Sequence, residues 1–344
     1  MPDIEKGLVL VTGGSGYIAG FCIADLLQQG WRVRASIRSL AKADAARRGI
    51  AALGVDATGV EFVAATLDAD AGWAEAAKGA DYVLHVASPI PTTDPKTDDE
   101  IVRPARDGAL RVLKAARDAG VKRVVMTSSV AAIAYGRGGR ETPHTEADWT
   151  DETNRADTSA YERSKTIAER AAWDWVKREG GSLELTTVNP SLVLGPAPSA
   201  DFSASLEAVK KLLDGSMPAL PNFSFPLVDV RDLAHLHVLA MTAPQAAGQR
   251  FIGSGDLYLI ADMAGMLRKS LGDKARRVPT LRIPDFVVRL FGLVDPVVRG
   301  RTFELGKVRR ASSAKAQRVL GWTTRPAEES VVDAARSLIK LGVV

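Results

Sequence analysis

Cysteine is nearly absent from this chain. Cys22 is the single thiol in 344 residues, which excludes an internal disulfide. It lies among Phe21, Ile23 and Leu26, the surroundings of an inert buried thiol and not of a nucleophile. Long apolar runs are also missing. The start, Met1-Pro2-Asp3-Ile4-Glu5-Lys6, has no basic flank, and glycines cut the apolar stretch that follows. Neither a signal peptide nor a membrane span is expected, and a soluble cytoplasmic protein fits. The histidines are few and badly spaced for a metal. His235 and His237 stand two apart on a predicted helix and point to different sides, while His85 and His144 have no partner pattern. No internal repeat of solenoid length is present.

Strong net charge is lacking too, at +4, but the charge is uneven. Residues 268–318 hold fourteen Lys/Arg against four acids, a local surplus of +10 that leaves −6 for the rest. A solvated basic face explains this most simply. An anionic substrate, such as a coenzyme A thioester, is the sharper alternative. No aromatic interleaving accompanies these cations, so nucleic acid is not an expected partner.

With 46% hydrophobic residues the chain can bury a large core, in one big domain or two closely joined ones. Its organising stretch is Val9-Leu10-Val11-Thr12-Gly13-Gly14-Ser15-Gly16-Tyr17-Ile18-Ala19-Gly20. Leu8 to Val11 has the pattern of a strand buried on both faces. After the glycines the apolar residues resume at Ile18, Phe21, Cys22 and Leu26, which is helical spacing. Strand, glycine turn and helix together aim bare backbone N–H groups at a pyrophosphate. Gly13 would permit the tight turn, Gly16 would leave room for phosphates, and the small Ala19 would allow close helix–strand packing.

A second strand, Trp31 to Ile37, ends in Arg38, with Lys42 nearby. An NAD site usually has an acid about here, for the adenosine ribose. A guanidinium and an ammonium instead suit a 2′-phosphate, which predicts NADPH. Further strands are expected at Val60–Ala64, Asp81–Ala87, Lys122–Thr127 and Leu183–Val188, with helices at Trp73–Ala77 and near Asp99–Ala119. Alternation at this spacing predicts an α/β fold, a Rossmann-type doubly wound parallel sheet, with a smaller mixed α/β carboxyl-terminal region. Residues 1–190, with 225–252 returning to them, are expected to form the dinucleotide-binding domain. Residues 191–224 and 253–344 are expected to form the substrate-binding region.

In such sheets ligands lie at the carboxyl ends of the strands. There the chain carries Thr127-Ser128-Ser129, and thirty-two residues past Ser129 comes Tyr161-Glu162-Arg163-Ser164-Lys165. Tyr161 and Lys165, four apart, share a helix face. An ammonium fixed beside a phenol is expected to lower its pKa, so that the tyrosine can pass a proton near neutral pH. Farther on, Asp229, Arg231 and Asp232 look catalytic, but their place before a helix predicts capping and anchoring.

Thr12-Gly13-x-x-Gly16-x-x-Ala19, Ser129 and Tyr161-x-x-x-Lys165 together resemble the extended short-chain dehydrogenase/reductase superfamily. His85-Val86-Ala87-Ser88-Pro89, Val125 to Ser129, Ala168 to Trp173, Asn189-Pro190-Ser191 and Leu320-Gly321-Trp322 resemble one branch of it more closely. That branch comprises dihydroflavonol 4-reductases, cinnamoyl-CoA reductases and yeast-type aldehyde/ketone reductases. The resemblance implies that Tyr161 gives a proton to a substrate carbonyl oxygen and that Ser129 hydrogen-bonds the same oxygen. It implies that Lys165 binds the nicotinamide ribose. Cofactor contacts carried over are Thr12, Gly13, Ser15, Gly16, Tyr17, Ile18, Arg38, Lys42, Leu67, Val86, Ala87, Ser88, Thr127, Tyr161, Lys165, Pro190 and Leu192.

Two departures stand out. Thr66-Leu67 replaces the usual Asp-Leu beside the adenine. The stretch Thr158-Ser159-Ala160-Tyr161 lacks the longer motif of plant cinnamoyl-CoA reductases, which lowers the thioester reading. The expected activity is NADPH-dependent reduction of a ketone or aldehyde to an alcohol, by a monomer or homodimer without nucleic-acid or membrane partners. The alternatives are a nucleotide-sugar epimerase/dehydratase, a hydroxysteroid dehydrogenase, or a non-catalytic nucleotide-binding protein. Ile90, Thr92, Tyr135 and the stretch from Phe202 to Phe225 are the expected pocket lining.

Overall fold

Leu8 and Leu10 enter one apolar cluster and Val9 and Val11 another, so the first strand is buried on both faces. The protein is described here from a computed structural model, which describes residues 6–89, 97–200, 202–203 and 205–344. The amino-terminal half alternates strand and helix. It runs β1 (Lys6–Thr12), α1 (Tyr17–Gln28), β2 (Trp31–Ile37), α2 (Ala43–Ala51), β3 (Glu61–Ala64), α3 (Trp73–Ala77), β4 (Tyr82–His85), α4 (Asp99–Asp118) and β5 (Arg123–Thr127). It continues through β6 (Arg140–His144), α5 (Ala160–Glu179), β7 (Glu184–Pro190), β8 (Leu192–Leu194), α6 (Glu207–Asp214), β9 (Ser224–Asp229) and α7 (Val230–Thr242). The remainder is β10 (Arg250–Gly253), β11 (Leu257–Leu259), α8 (Ile260–Leu271), α9 (Asp285–Val294), α10 (Pro296–Arg299), β12 (Arg309–Ala311), α11 (Ala314–Leu320) and α12 (Ala327–Lys340).

The large sheet has seven strands in the order β10-β7-β5-β4-β1-β2-β3, all its pairings parallel. Its order reverses direction at β1 and β4, which is the crevice position of a doubly wound sheet. Parallel strands need covered faces. One face packs Trp73, Val112, Leu113 and Trp175 from α3, α4 and α5. The other packs Cys22, Ile23 and Leu26 of α1 with Leu233 and Leu236 of α7. Cys22 is fully buried, and desolvation pushes its thiol well above the ordinary range.

The carboxyl-terminal part carries a three-stranded sheet, β11-β9-β8, and a two-stranded one, β12-β6. Six strands, β6 and β8 to β12, were not placed from the sequence. The segment 225–252 divides its loyalty. Its strand β9 joins the small sheet, while α7 and β10 pack on or pair with the large one. Asp229 caps α7 by accepting from the Arg231 amide at 2.8 Å, and Asp232 binds the Arg325 guanidinium at 2.8 Å. These residues tie the last segment of the chain to α7, together with Trp322, whose indole donates to the Asp232 carbonyl at 2.7 Å.

Part of the basic surplus has internal owners. Arg268 donates to the Pro279 carbonyl, Arg299 to the Gly292 and Leu293 carbonyls, Lys307 to Asp157, and Arg309 to Asp157 and Glu304. A buried arginine also closes the far end of α7. Arg123 is 1% exposed, pairs with Glu184, and donates to the carbonyls of Ala240, Met241 and Ala243 at 2.9, 3.0 and 2.7 Å. Arg123→Met would strand those three acceptors. Urea unfolding should then show a loss of about 3 kcal/mol. A loss under about 1 kcal/mol would mean that water replaces the guanidinium there.

Candidate active site

Four strand ends meet at one edge of the large sheet: Thr12 of β1, Val86 just beyond β4, Thr127 of β5 and Pro190 of β7. The glycine turn after β1 is shaped by close backbone approach. Gly13 has φ +70°, and a Cβ there would lie 3.1 Å from the Ala87 Cα. A Cβ on Gly14 would fall 2.6 Å from the Ala35 Cβ. The Gly14 amide donates to the Ser36 carbonyl at 2.8 Å, and the Gly16 amide to the Gly13 carbonyl at 2.8 Å. Gly16 is the N-cap of α1, which has no side-chain cap and no acid in its first turn. Its positive end therefore carries no acid in its own first turn. Ser15 and Gly16 are exposed, Ile18 half-buried, and Tyr17 buried with a hydroxyl that has no partner among the described residues. A glycine cradle at an uncapped helix end fits a dinucleotide pyrophosphate.

Thr12 does not face the cleft with its side chain. It is fully buried, and its hydroxyl bonds His85 Nδ1 at 2.9 Å and accepts from the Ala87 amide at 3.0 Å. Thr127 is likewise braced, against His237 Nε2 at 2.7 Å, while His237 Nδ1 bonds the Leu233 carbonyl at 2.8 Å. Burial holds His85 down at about 3 and His237 at about 4, so both are neutral hydrogen-bonding spacers. At the other end of the cleft Arg38 and Lys42 are exposed just beyond β2. Asp68, two residues past Thr66, is within electrostatic reach of Arg38, and its carboxyl is held low first by the Thr66 hydroxyl. That acid is a neighbour of the Arg38 site that sequence reading missed. Leu67 and Leu192 are half-buried, and Pro190 is buried.

Tyr161 is set by the start of α5. Ser159 and Glu162 form a capping box: the Ser159 amide donates to Glu162 at 2.7 Å, and the Ser159 hydroxyl accepts from the Tyr161 amide at 3.2 Å. Arg163 locks the same turn through the Thr158 carbonyl at 2.7 Å and Asp98 at 2.6 Å. The Tyr161 phenol is within electrostatic reach of Ser129, whose hydroxyl oxygen accepts from the Ala131 amide at 3.1 Å. The Lys165 ammonium lies 5.8 Å from the Tyr161 ring centre and donates to Ser88 at 3.0 Å. Ser129, Tyr161, Lys165 and Ser88 are thus brought together.

The expected lowering of the Tyr161 pKa is not found. Desolvation at the hydroxyl raises it above the ordinary phenol value, the Ser129 hydroxyl opposes this, and Glu162 adds to it. The ring side remains open, the residue being 36% exposed. Lys165 itself is drawn down to about 8 by burial, with Glu169 pulling it back up. Here desolvation outweighs the helix-face neighbour.

Of the expected pocket lining, Ile90 and Thr92 lie outside the described residues. Tyr135 has its hydroxyl within electrostatic reach of Glu304 and its ring under the Arg309 guanidinium at 4.3 Å. Phe202, Phe223 and Phe225 are partly buried against the larger core cluster. Sequence reading also missed Ser128, Glu169 and Asn189 beneath the site. The signal was available: Tyr161, Lys165 and Glu169 repeat at four-residue intervals along one helix face.

The model of the NAD dependent epimerase/dehydratase family matches residues 9–258. The chain belongs to that family. Cinnamoyl-CoA reductase 2 of Arabidopsis thaliana is 36% identical over 266 residues, covering 74% of this chain and 75% of that one. The ketoreductase azaE of Aspergillus niger is 31% identical over 360 residues, covering 96% and 97%. Among solved structures, yeast methylglyoxal/isovaleraldehyde reductase Gre2 complexed with NADPH superposes with a TM-score of 0.80 at 25% identity, over 98% of this chain and 99% of that one. The family member described here is an NAD(P)-dependent oxidoreductase on a Rossmann-type sheet.

The turn at Gly13 offers a direct test of the cradle. Gly13→Ala combines a positive φ with the Ala87 contact, and should cost roughly 1–2 kcal/mol in thermal unfolding. Nucleotide affinity by fluorescence titration should fall about tenfold, because the turn can no longer sit against Ala87. Unchanged affinity would place the pyrophosphate elsewhere.

Proposed function

We propose that this protein is an NADPH-dependent carbonyl reductase that converts a small ketone or aldehyde to an alcohol with Ser129, Tyr161 and Lys165. The observation that carries the reading is the convergence of the Tyr161 phenol on Ser129 beside Lys165, at the carboxyl ends of β4 and β5. Residues 1–190 with 225–252 would form the cofactor side, and 191–224 with 253–344 the substrate side.

When bound, NADPH supplies the hydride. The chain's own residues govern the oxygen that gains charge. Tyr161 holds its proton, since its pKa stands above the ordinary value. A protonated phenol is the form that can donate to a developing alkoxide. Ser129 offers a second hydrogen bond to that oxygen, and Lys165 adds positive charge from one helical turn away. Ser15, Gly16, Tyr17 and Ile18 would meet the pyrophosphate through backbone. Val86, Ala87, Ser88, Thr127, Pro190 and Leu192 would flank the nicotinamide half. Leu67 would meet the adenine, and Arg38 and Lys42, both exposed, would hold the 2′-phosphate.

The nucleotide-sugar epimerase reading keeps the same fold and catalytic trio. The cations Arg38 and Lys42 favour the reductase, because a 2′-phosphate needs a counter-charge and a tightly retained NAD does not. The deciding experiment is oxidation of NADPH, with NADH in parallel, by the purified protein against a panel of ketones, aldehydes and diketones. Carbonyl-dependent consumption that prefers NADPH is expected. Binding of NADPH without consumption would remove carbonyl reduction and leave the fold.

Two variants test the assigned roles. Tyr161→Phe should bind NADPH as the parent does and lose about three orders of magnitude in kcat. Full turnover in that variant would overturn the proton-donor role. Arg38→Ala should cost about tenfold or more in NADPH affinity while leaving NADH affinity within about twofold. An unchanged preference would mean that another group holds the phosphate.

A further inference from the structure

Beneath the catalytic trio lies one carboxylate with an unusual number of donors. Glu169 is 0% exposed, in the middle of α5. Its Oε1 accepts from Thr187 at 3.0 Å, from Arg250 Nε at 2.7 Å and from Trp173 at 3.3 Å. Its Oε2 accepts from Ser128 at 2.6 Å, from Asn189 at 2.7 Å and from Arg250 Nη2 at 3.3 Å. Every lone pair of an ionised carboxylate is used, and no donor from it is required.

The donors come from separate elements. Ser128 follows β5 and precedes Ser129. Thr187 and Asn189 belong to β7, and Asn189 also donates to the Ser129 carbonyl at 3.2 Å. Arg250 begins β10. Its remaining N–H groups reach the Glu146 and Asp148 carbonyls at 2.7 and 2.8 Å, and Trp149 stacks on it at 3.8 Å. A lone buried carboxylate would be expelled or protonated, but this one is paired and fully hydrogen-bonded. Glu169 stands one helical turn beyond Lys165 and two beyond Tyr161, on the same stripe.

We propose that Glu169 is a positioning residue for carbonyl reduction: held by Arg250, it joins the ends of β5 and β7 to α5 and so fixes Ser129, Tyr161 and Lys165 in one register. The inference rests on the reductase reading given above. It also has an electrostatic side. Lys165 is faced by Tyr161 and Glu169 on its own helix and by His85 from β4, while Arg250 faces Glu169 from β10. His85 is neutral, so Glu169 is the counter-charge that keeps the half-buried ammonium protonated. Asp98, the residue before α4, is occupied by Arg155 and by Arg163 near the start of α5.

The test is Glu169→Gln in the full-length protein, with NADPH affinity by fluorescence titration, kcat and KM for the best carbonyl, and the pH profile of kcat. NADPH affinity is expected within about threefold of the parent, with kcat down about thirtyfold. The alkaline limb of the profile should move about one pH unit toward acid, because Lys165 loses its counter-charge. Glu169→Asp should return that limb toward its original place while recovering only part of kcat, since a shorter carboxylate keeps charge but not all its donors. A Glu169→Gln protein that melts earlier yet keeps the parental kcat and pH profile would overturn the proposal and leave Glu169 a purely structural residue. If the charge change prevents folding, Ser128→Ala removes one donor without altering charge. A fall in kcat of about threefold or more at constant KM would then support the role, and an unaltered kcat would overturn it. Should the parent protein itself reduce no carbonyl, the reductase reading fails instead, and the two failures are distinct.

Discussion

A parallel sheet covered on both faces has a consequence for polar chemistry. Its interior strands β7, β5, β4, β1 and β2 carry Val188, Val125, Leu84, Val9 and Ala35, all 0% exposed, and the polar groups of the cleft gather at the strand ends. Because the strands run the same way, their carboxyl ends share one edge. Thr12, His85, Thr127 and Asn189 mark the places where the apolar run stops. The glycine turn then has to pass against Ala87, which is why the Gly13 conformation and the small residues after β4 belong to one packing problem.

At that edge the protein buries several polar groups, and three side chains among them are satisfied in a way that freezes geometry. His85 is held with Thr12, His237 with Thr127 and Leu233, and Glu169 with three strands at once. Their hydrogen bonds offset the desolvation that would otherwise expel them. The two histidines are neutral because burial penalises the cation, so neither competes with Lys165 for the role of local positive charge. The proposed acid, the pinned lysine and the bonded serine occupy a site whose orientation is decided from beneath.

Much of this was legible in the sequence. The glycine turn, β2 at Trp31–Ile37, the helix carrying Tyr161 and Lys165, and the capping role of Asp229 all follow from local pattern, and the structure has them. What local pattern lacks is pairing between distant segments. Strands such as β6 and β12 are five and three residues long and form only because residues 140–144 and 309–311 meet. The Arg309–Asp157–Lys307 cluster that holds this meeting place spans some 150 residues of chain. Glu169 shows the same limit. Its place on the Tyr161 stripe could be read from spacing, but Arg250 and Asn189 reach it only after the sheet is assembled.

The corrected Tyr161 pKa bears on direction. An ammonium four residues away suggests a phenolate, and a phenolate would serve oxidation of an alcohol as a base. Burial and Glu162 instead favour the neutral phenol, and Lys165 donates a hydrogen bond to Ser88. With Tyr161 as the proposed donor, the proton waits on its phenol, where an oxygen gaining negative charge would draw it off, while Lys165, half-buried and countered by Glu169, would stabilise the phenolate left behind. On the proposed reading the site is set for reduction before substrate enters, and the reverse reaction begins only once that proton has been lost.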